Sequence, residues 1–328
     1  MRVTLRDVAR QAGVSIKTVS RVVNGQADVA EETQRRVEAA IDQLGYHPNR
    51  IAQGLVTNRT RTIGLILADI TNPYFAEVAL SIQEHVRPQD YNMFLYNSRD
   101  DPQEEMNALR SLAMHGVDGI ILFPTHQSVQ NLAQFAPTYQ TLVLIDHEHP
   151  GASSVLVELY RGACLAAEHL IEQGHRTIGM LSEPIYSSQR GRRLRGFSET
   201  LRAHGLPAQA DQVVYASPTT EGGREGALRL LQQTPSITAI FAQNDLMALG
   251  AINACRQMGL KTPEECAVVG FDDIQFASVI SPALTTVRID RRALGQMAVD
   301  RLMAMMKEPG RVWPPLRLDV ELMVRQSA

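Results

Sequence analysis

Lys17, Ser20, Arg21 and Asn24 recur at helical spacing within TLRDVARQAGVSIKTVSRVVN (4–24) and place a row of hydrogen-bond donors along one helix face. Donors arranged this way match the edges of bases in a major groove that is one helix wide. A second set of polar residues comes directly after apolar runs. It comprises Asp69, Asn72, Tyr74 and Phe75; Asp146; Ser187, Ser188, Gln189 and Arg193; Asn244 and Asp245; Asp272 and Asp273. Carboxylates, amides, a guanidinium and an aromatic face at the mouth of an apolar cleft suit a polyhydroxylated small molecule. Within this set Asp245 and Asp273 read as caps of helices or loops. The chain carries no GxxxxGK[ST] phosphate loop, no HExxH and no GxSxG elbow. His147 and His149 are spaced i, i+2 without a third convergent ligand, and they read as an exposed loop. The expectation is a binding protein rather than an enzyme, with no catalytic residues, no metal and no cofactor.

These residues need elements to hold them. Leu5, Val8, Ala9 and Ala12 define the buried face of a first helix, with Thr4 and Asp7 at its start. Gly13 permits a tight turn, Ser15 caps a second helix, and Val19, Val22 and Val23 are that helix's inward stripe. A third helix begins near Glu31, packs through Val37, Ala40, Ile41 and Leu44, and stops at Gly45. The segment YHPNRIAQGLVTNRT (46–60) reads as a linker with a short helix through Ile51, Ala52, Leu55 and Val56. Gly54 costs that helix about 1 kcal/mol relative to Ala, so it is weak on its own. Beyond Arg61, apolar runs alternate with amphipathic segments. Residues 62–68, 93–97, 119–123 and 141–145 read as buried parallel strands, and 177–182, 212–216, 237–242 and 267–271 as a second series. TRTIGLILADI and HRTIGMLSEPI resemble each other, which predicts two similar doubly wound halves in tandem. LTTVRID (284–290) reads as a crossover that leads into a helix over 291–306.

Composition fits this division. The 328 residues are 44% hydrophobic and 20% charged, with a net charge of −3. Residues 1–61 hold ten basic and six acidic residues, a net of +4, which leaves −7 on the remainder. A basic head on an acidic body points to a polyanion-binding module joined to a separate sensor. Cys164, Cys255 and Cys266 lack metal or disulfide spacing and read as reduced thiols. No charged-then-apolar leader and no apolar run of about 20 residues is present, so a soluble cytoplasmic protein without membrane attachment is expected.

The 4–24 string resembles the headpiece of the lactose-repressor (LacI/GalR) family of bacterial transcription regulators. The body resembles the periplasmic sugar-binding-protein fold that the same family uses as its sensor. The resemblance spans essentially the whole chain. It implies an all-α helix-turn-helix headpiece (1–48), a hinge helix (49–60) and an α/β periplasmic-binding-protein-like domain for effector binding and dimerisation (61–328). That last domain comprises two doubly wound subdomains, the first about 61–160 and 290–317, the second about 161–289 and 318–328. Nothing after Val324 carries heptads, so a tetramerising tail is not expected.

The function implied is a ligand-responsive repressor of a carbohydrate catabolic operon, binding a pseudo-palindromic operator as a homodimer and released by a sugar-type effector. The alternative is corepression by a non-sugar metabolite; a transport-type binding protein stands behind both. By the family's pattern Ile16, Lys17 and Arg21 read bases, with Arg21 matched to guanine, while Thr18, Ser20 and Asn24 hold the backbone. Thr4, Ser15, Asn49 and Ala52 complete the DNA-contacting set, and Leu55 matches a leucine that wedges into the minor groove. Gln53 stands where relatives usually carry Arg. The implied effector site matches Phe75 in NPYFAE, Asp146 in LIDHE, Arg193 in RRLRGF, Asn244 in QNDLMALGA and Asp272 in GFDD. Asp69, Tyr74, Ser187 and Gln189 join it, and Ile289 departs from the usual polar residue, which predicts a less polar wall there.

Overall fold

The computed structural model describes residues 3–23, 29–46, 59–125, 132, 141–149, 152–183 and 188–328, the side chains of 188–190 excepted. Asn24, Asn49, Ala52, Gln53, Gly54, Leu55 and Ser187, together with the side chain of Gln189, lie outside the described residues. The chain divides into two compact units, Met1–Arg61 and Thr62–Ala328.

The first unit contains α1 (Leu5–Ala12), α2 (Ile16–Val23) and α3 (Glu31–Leu44). The Asp7 carboxylate accepts from the Thr4 amide at 3.0 Å and the Thr4 hydroxyl at 2.6 Å, which fixes the start of α1. Gly13 ends α1 with φ 66°, a left-handed conformation that glycine adopts without a Cβ penalty. The Ser15 hydroxyl accepts from the Thr18 amide at 3.1 Å and starts α2. Val8, Val19 and Val37 are fully buried where the three helices meet, with Ala9, Ala12, Ala40 and Tyr46 around them. Each such valine contributes about 1.5–3 kcal/mol relative to exposure. A core of this size makes the unit marginal in stability.

The second unit contains two six-stranded sheets. The first has the order β11-β5-β4-β3-β1-β2, formed from β1 (Thr62–Leu67), β2 (Asn92–Asn97), β3 (Gly119–Leu122), β4 (Leu142–Ile145), β5 (Ser153–Val157) and β11 (Leu316–Leu318). The second has the order β12-β10-β9-β8-β6-β7, formed from β6 (Ile178–Ser182), β7 (Val213–Tyr215), β8 (Ala239–Ala242), β9 (Ala267–Asp272), β10 (Thr285–Ile289) and β12 (Val320–Met323). All pairings are parallel except β10 with β12. The helices that position the site are α4 (Pro73–Val86), α5 (Pro102–Met114), α6 (Leu159–Glu172), α7 (Ser188–Ala203), α8 (Thr220–Gln233), α9 (Asp245–Gln257) and α10 (Arg291–Lys307). The chain passes between the sheets after β5, after β10 and between β11 and β12.

This is the two-subdomain architecture expected from the duplicated openings, with corrections in detail. Residues 285–289 are a strand of the second sheet rather than a connection, because β9 and β12 pair with them on either side. β5, β11 and β12 are strands beyond those the sequence predicts; the last two are only three and four residues long and mix buried and exposed positions. The strand at 92–97 is not buried: it closes the sheet edge, and Phe94 and Leu95 are exposed. Among the described residues, no helix is long and apolar enough to cross a membrane.

Candidate functional site

The two sheets face each other across a cavity of about 690 Å³ lined from both. Its first wall is the start of α4. The Asn72 side chain accepts from the Tyr74 amide at 3.0 Å, and Pro73 occupies the first turn, so the helix begins rigidly beside the cavity. Tyr74, Phe75 and Phe123 then pack edge to face, with Phe75 and Phe123 centroids 5.3 Å apart and interplanar angle 89°. The result is an apolar shelf with one phenol.

Charged groups come from both sheets. Asp146 follows β4 with φ 62°, and its carboxylate accepts from the Val157 amide at 2.6 Å. Asp272 ends β9 with φ 109°, and its carboxylate lies 3.8 Å from the Arg193 guanidinium. That guanidinium is stacked 4.3 Å over the Phe271 ring. Burial pushes Asp146 up to about 6, against the Val157 hydrogen bond and Arg193. Burial pushes Asp272 up to about 7, against Arg193 and Arg291. Burial and the two carboxylates hold the Tyr74 phenol well above its ordinary range, so it stays a donor. Arg193 Nε and Gln243 Nε2 are buried and have no hydrogen-bond partner among the described residues. Leaving a buried donor unpaired costs about 1–3 kcal/mol.

Several expected residues line the cavity with part of their bonding capacity already used. Asp69 accepts from the Thr71 amide and hydroxyl at 2.9 and 2.7 Å. The Asn244 oxygen caps α9 by accepting from the Met247 amide at 2.8 Å, and its amide nitrogen reaches the Pro218 carbonyl at 3.4 Å. Asp245 is fully buried beside it, accepting from the Ile274 amide at 2.8 Å and from the Thr286 hydroxyl. Asp273 is held between Arg288 at 2.7 Å and Arg325 at 2.6 Å. Ile289 is buried in the core and is not among the cavity-lining residues, so the less polar wall expected there is not part of the cavity. His147, expected in an exposed loop, is buried. Phe123, Thr125, Arg99 and Gln243 line the cavity and were not foreseen. Gln243 directly follows β8, so the strand-end signal that pointed to Asn244 covered it too.

In the first unit, α2 presents Ile16, 44% exposed, and Lys17 outward, with Ser20 and Arg21 half-buried beside them. Thr4 lies exposed at the start of α1. Ser15, Thr18 and Arg21 line a surface notch with Thr33 and Arg36 of α3, two residues that the sequence reading left aside. Hydroxyls and guanidinium groups around one notch suit an anionic oxygen.

Comparison with known proteins covers both units. Residues 4–49 match the family model "Bacterial regulatory proteins, lacI family", and residues 60–317 match "Periplasmic binding proteins and sugar binding domain of LacI family". The HTH-type transcriptional repressor PurR of Haemophilus influenzae (strain PittEE) is 36% identical over 333 residues, spanning 99% of this chain and 98% of that one. The lac repressor dimer bound to operator and the anti-inducer ONPF has a TM-score of 0.89 at 29% identity, over 100% of this chain and 99% of that one. The complex of the transcriptional regulator CelR with cellobiose has a TM-score of 0.75 at 30% identity, over all of both chains.

Proposed function

The chain belongs to the LacI family of bacterial regulatory proteins, and from that premise we propose that it is a DNA-binding transcriptional repressor whose cleft takes a small, flat, nitrogen-bearing metabolite as corepressor. Two copies bring two headpieces to a pseudo-palindromic operator, as in the lac repressor dimer bound to its operator. Within each headpiece, Ile16, Lys17 and Arg21 of α2 meet base edges, while Thr4, Ser15, Thr18 and Ser20 hold the backbone. Asn24 and, from the linker, Asn49, Ala52 and Leu55 belong to the same proposed surface.

The observation that carries the ligand class is the pairing of an aromatic shelf with buried carboxylates. Tyr74, Phe75 and Phe123 offer aromatic surface, and Asp146 and Asp272 offer acceptors for N–H groups. Asn244, the amide expected to serve a sugar hydroxyl, is occupied as a helix cap. Asp69, Tyr74, Phe75, Asp146, Arg193 and Asp272 form the proposed contact set, to which Gln189 and Ser187 belong by position. The likeness to the transcriptional repressor PurR supports this reading over a sugar effector, and corepression means that ligand and DNA favour the same state.

A second reading, a sugar effector, is favoured by the family model's sugar-binding description and by the CelR–cellobiose complex. The experiment that separates the two uses full-length protein and an operator recovered by selection from random DNA. Operator affinity and thermal stability are measured at fixed salt with adenine, guanine, uracil, ribose and cellobiose. Stabilisation and tighter operator binding with a base support the proposal. Stabilisation by a sugar with release of DNA assigns the second reading, and absence of selectable DNA refutes both.

A further inference from the structure

Behind the cleft, one guanidinium spans both lobes. Arg291 opens α10, the helix that packs against α4 and the first sheet, directly after the chain leaves β10 of the second sheet. Its Nε donates to the Glu77 carboxylate on α4 at 2.7 Å, and one terminal nitrogen donates to the backbone carbonyl of Asp272. The side chain is only 15% exposed. Asp272 is therefore held from two directions. Its carboxylate faces Arg193 in the cavity, and its carbonyl faces Arg291 outside it. The φ of 109° at Asp272 is one that a residue with a Cβ rarely adopts, so the bond to its carbonyl helps keep the carboxylate in place. On the far side, Glu77 is in the second turn from Tyr74 and Phe75, the opposite wall of the cavity. α4 and α10 also meet one turn further on: the Ser81 hydroxyl donates to the Arg292 carbonyl at 3.0 Å, and a Cβ on Gly295 would lie 2.4 Å from the Ser81 oxygen.

We propose that Arg291 is a positioning residue that joins the two walls of the effector cleft, so that a change at Asp272 is transmitted to α4 through the Glu77 ion pair. This deepens the functional reading above and rests on it only in taking the cleft as the ligand site. A ligand that engages the Asp272 carboxylate moves the end of β9, and the guanidinium passes that movement to the helix carrying the aromatic shelf. Contacts on the two walls are then made together rather than one after the other.

The test needs neither effector nor DNA, so its outcome is separable from that of the functional proposal. Asp272→Asn serves as the perturbation, and amide hydrogen exchange over the first two turns of α4 is the readout in full-length protein. In the wild-type background Asp272→Asn should change exchange there by about fivefold or more, the lower end of ordinary coupling between sites. In an Arg291→Met background the same substitution should change it little, and Arg291→Lys should restore part of the response. Glu77→Gln removes the other half of the link at a partly exposed position, and it should blunt the response in the same way. A merely structural Arg291 would lower stability yet leave the response to Asp272→Asn intact. An equal response in all backgrounds, or none in the wild type, overturns the proposal.

Discussion

Arg21 carries the sharpest expectation at the scale of single residues. Arg21→Ala should weaken operator binding by about 1–3 kcal/mol and relax preference at one base pair. Equal weakening on operator and random DNA, read by anisotropy at one salt concentration, would move Arg21 to the phosphate backbone. Asp146 and Asp272 give a pH dependence with a definite sign. Their folded-state values, about 6 and about 7, lie above those of an unfolded aspartate. The stability these groups contribute is therefore fully present below about pH 4 and is lost as pH rises through their folded values. The melting temperature of ligand-free protein should fall between about pH 4 and about pH 7, and Asp272→Asn should flatten the upper part of that fall. Calorimetric scans across this range check it, and a curve that rises with pH contradicts the assignment. Asn244→Ala separates two roles at one position. As a cap of α9 its loss should cost about 0.5–2 kcal/mol of stability, while ligand affinity changes little if Asp146, Asp272 and Arg193 hold the ligand.

At the scale of elements, the parts most legible in the sequence were those whose signals are local. Thr4 with Asp7, Gly13, Ser15 and Gly45 announce the three headpiece helices, and the structure uses each one as cap or turn. Strands at the sheet centres, such as Gly119–Leu122, are continuous apolar runs because helices cover both faces. β2 was placed correctly but misjudged in burial, since its position at a sheet edge is decided by pairing partners distant in sequence. β10, β11 and β12 were missed for a related reason. Their lengths and mixed patterns become strands only when β9, β5 and β10 offer them open edges. In the site, Asn244 and Asp272 stand where strand ends direct attention, yet sequence alone does not distinguish a side chain that caps a helix from one that faces a ligand. Ser15→Ala tests the local reading of the headpiece. The loss of the α2 cap should lower headpiece stability by about 0.5–2 kcal/mol, measured by melting of the headpiece signal in full-length protein.

At the scale of the whole molecule, the first 61 residues are basic and the remainder acidic, as a DNA-binding part joined to a separate effector-binding part would be. In the proposed arrangement the segment 46–60, at the end of the first part, joins the two. Replacing Gly54 by Ala raises its helical propensity by about 1 kcal/mol, so operator affinity should rise and its dependence on the metabolite should weaken. Unchanged affinity and unchanged dependence would count against a linker that orders on DNA. The interleaving of the sheets has a consequence for how the protein is made. The first sheet begins at Thr62, but its edge strand β11 is drawn from Leu316–Leu318, paired in register with Val155–Val157. On the ribosome, β5 waits with an open edge until almost the whole chain has been synthesised, while the three headpiece helices have long been able to close. A nascent chain stopped after Lys307 should therefore carry a folded headpiece and a body prone to edge-to-edge association, separable by limited proteolysis.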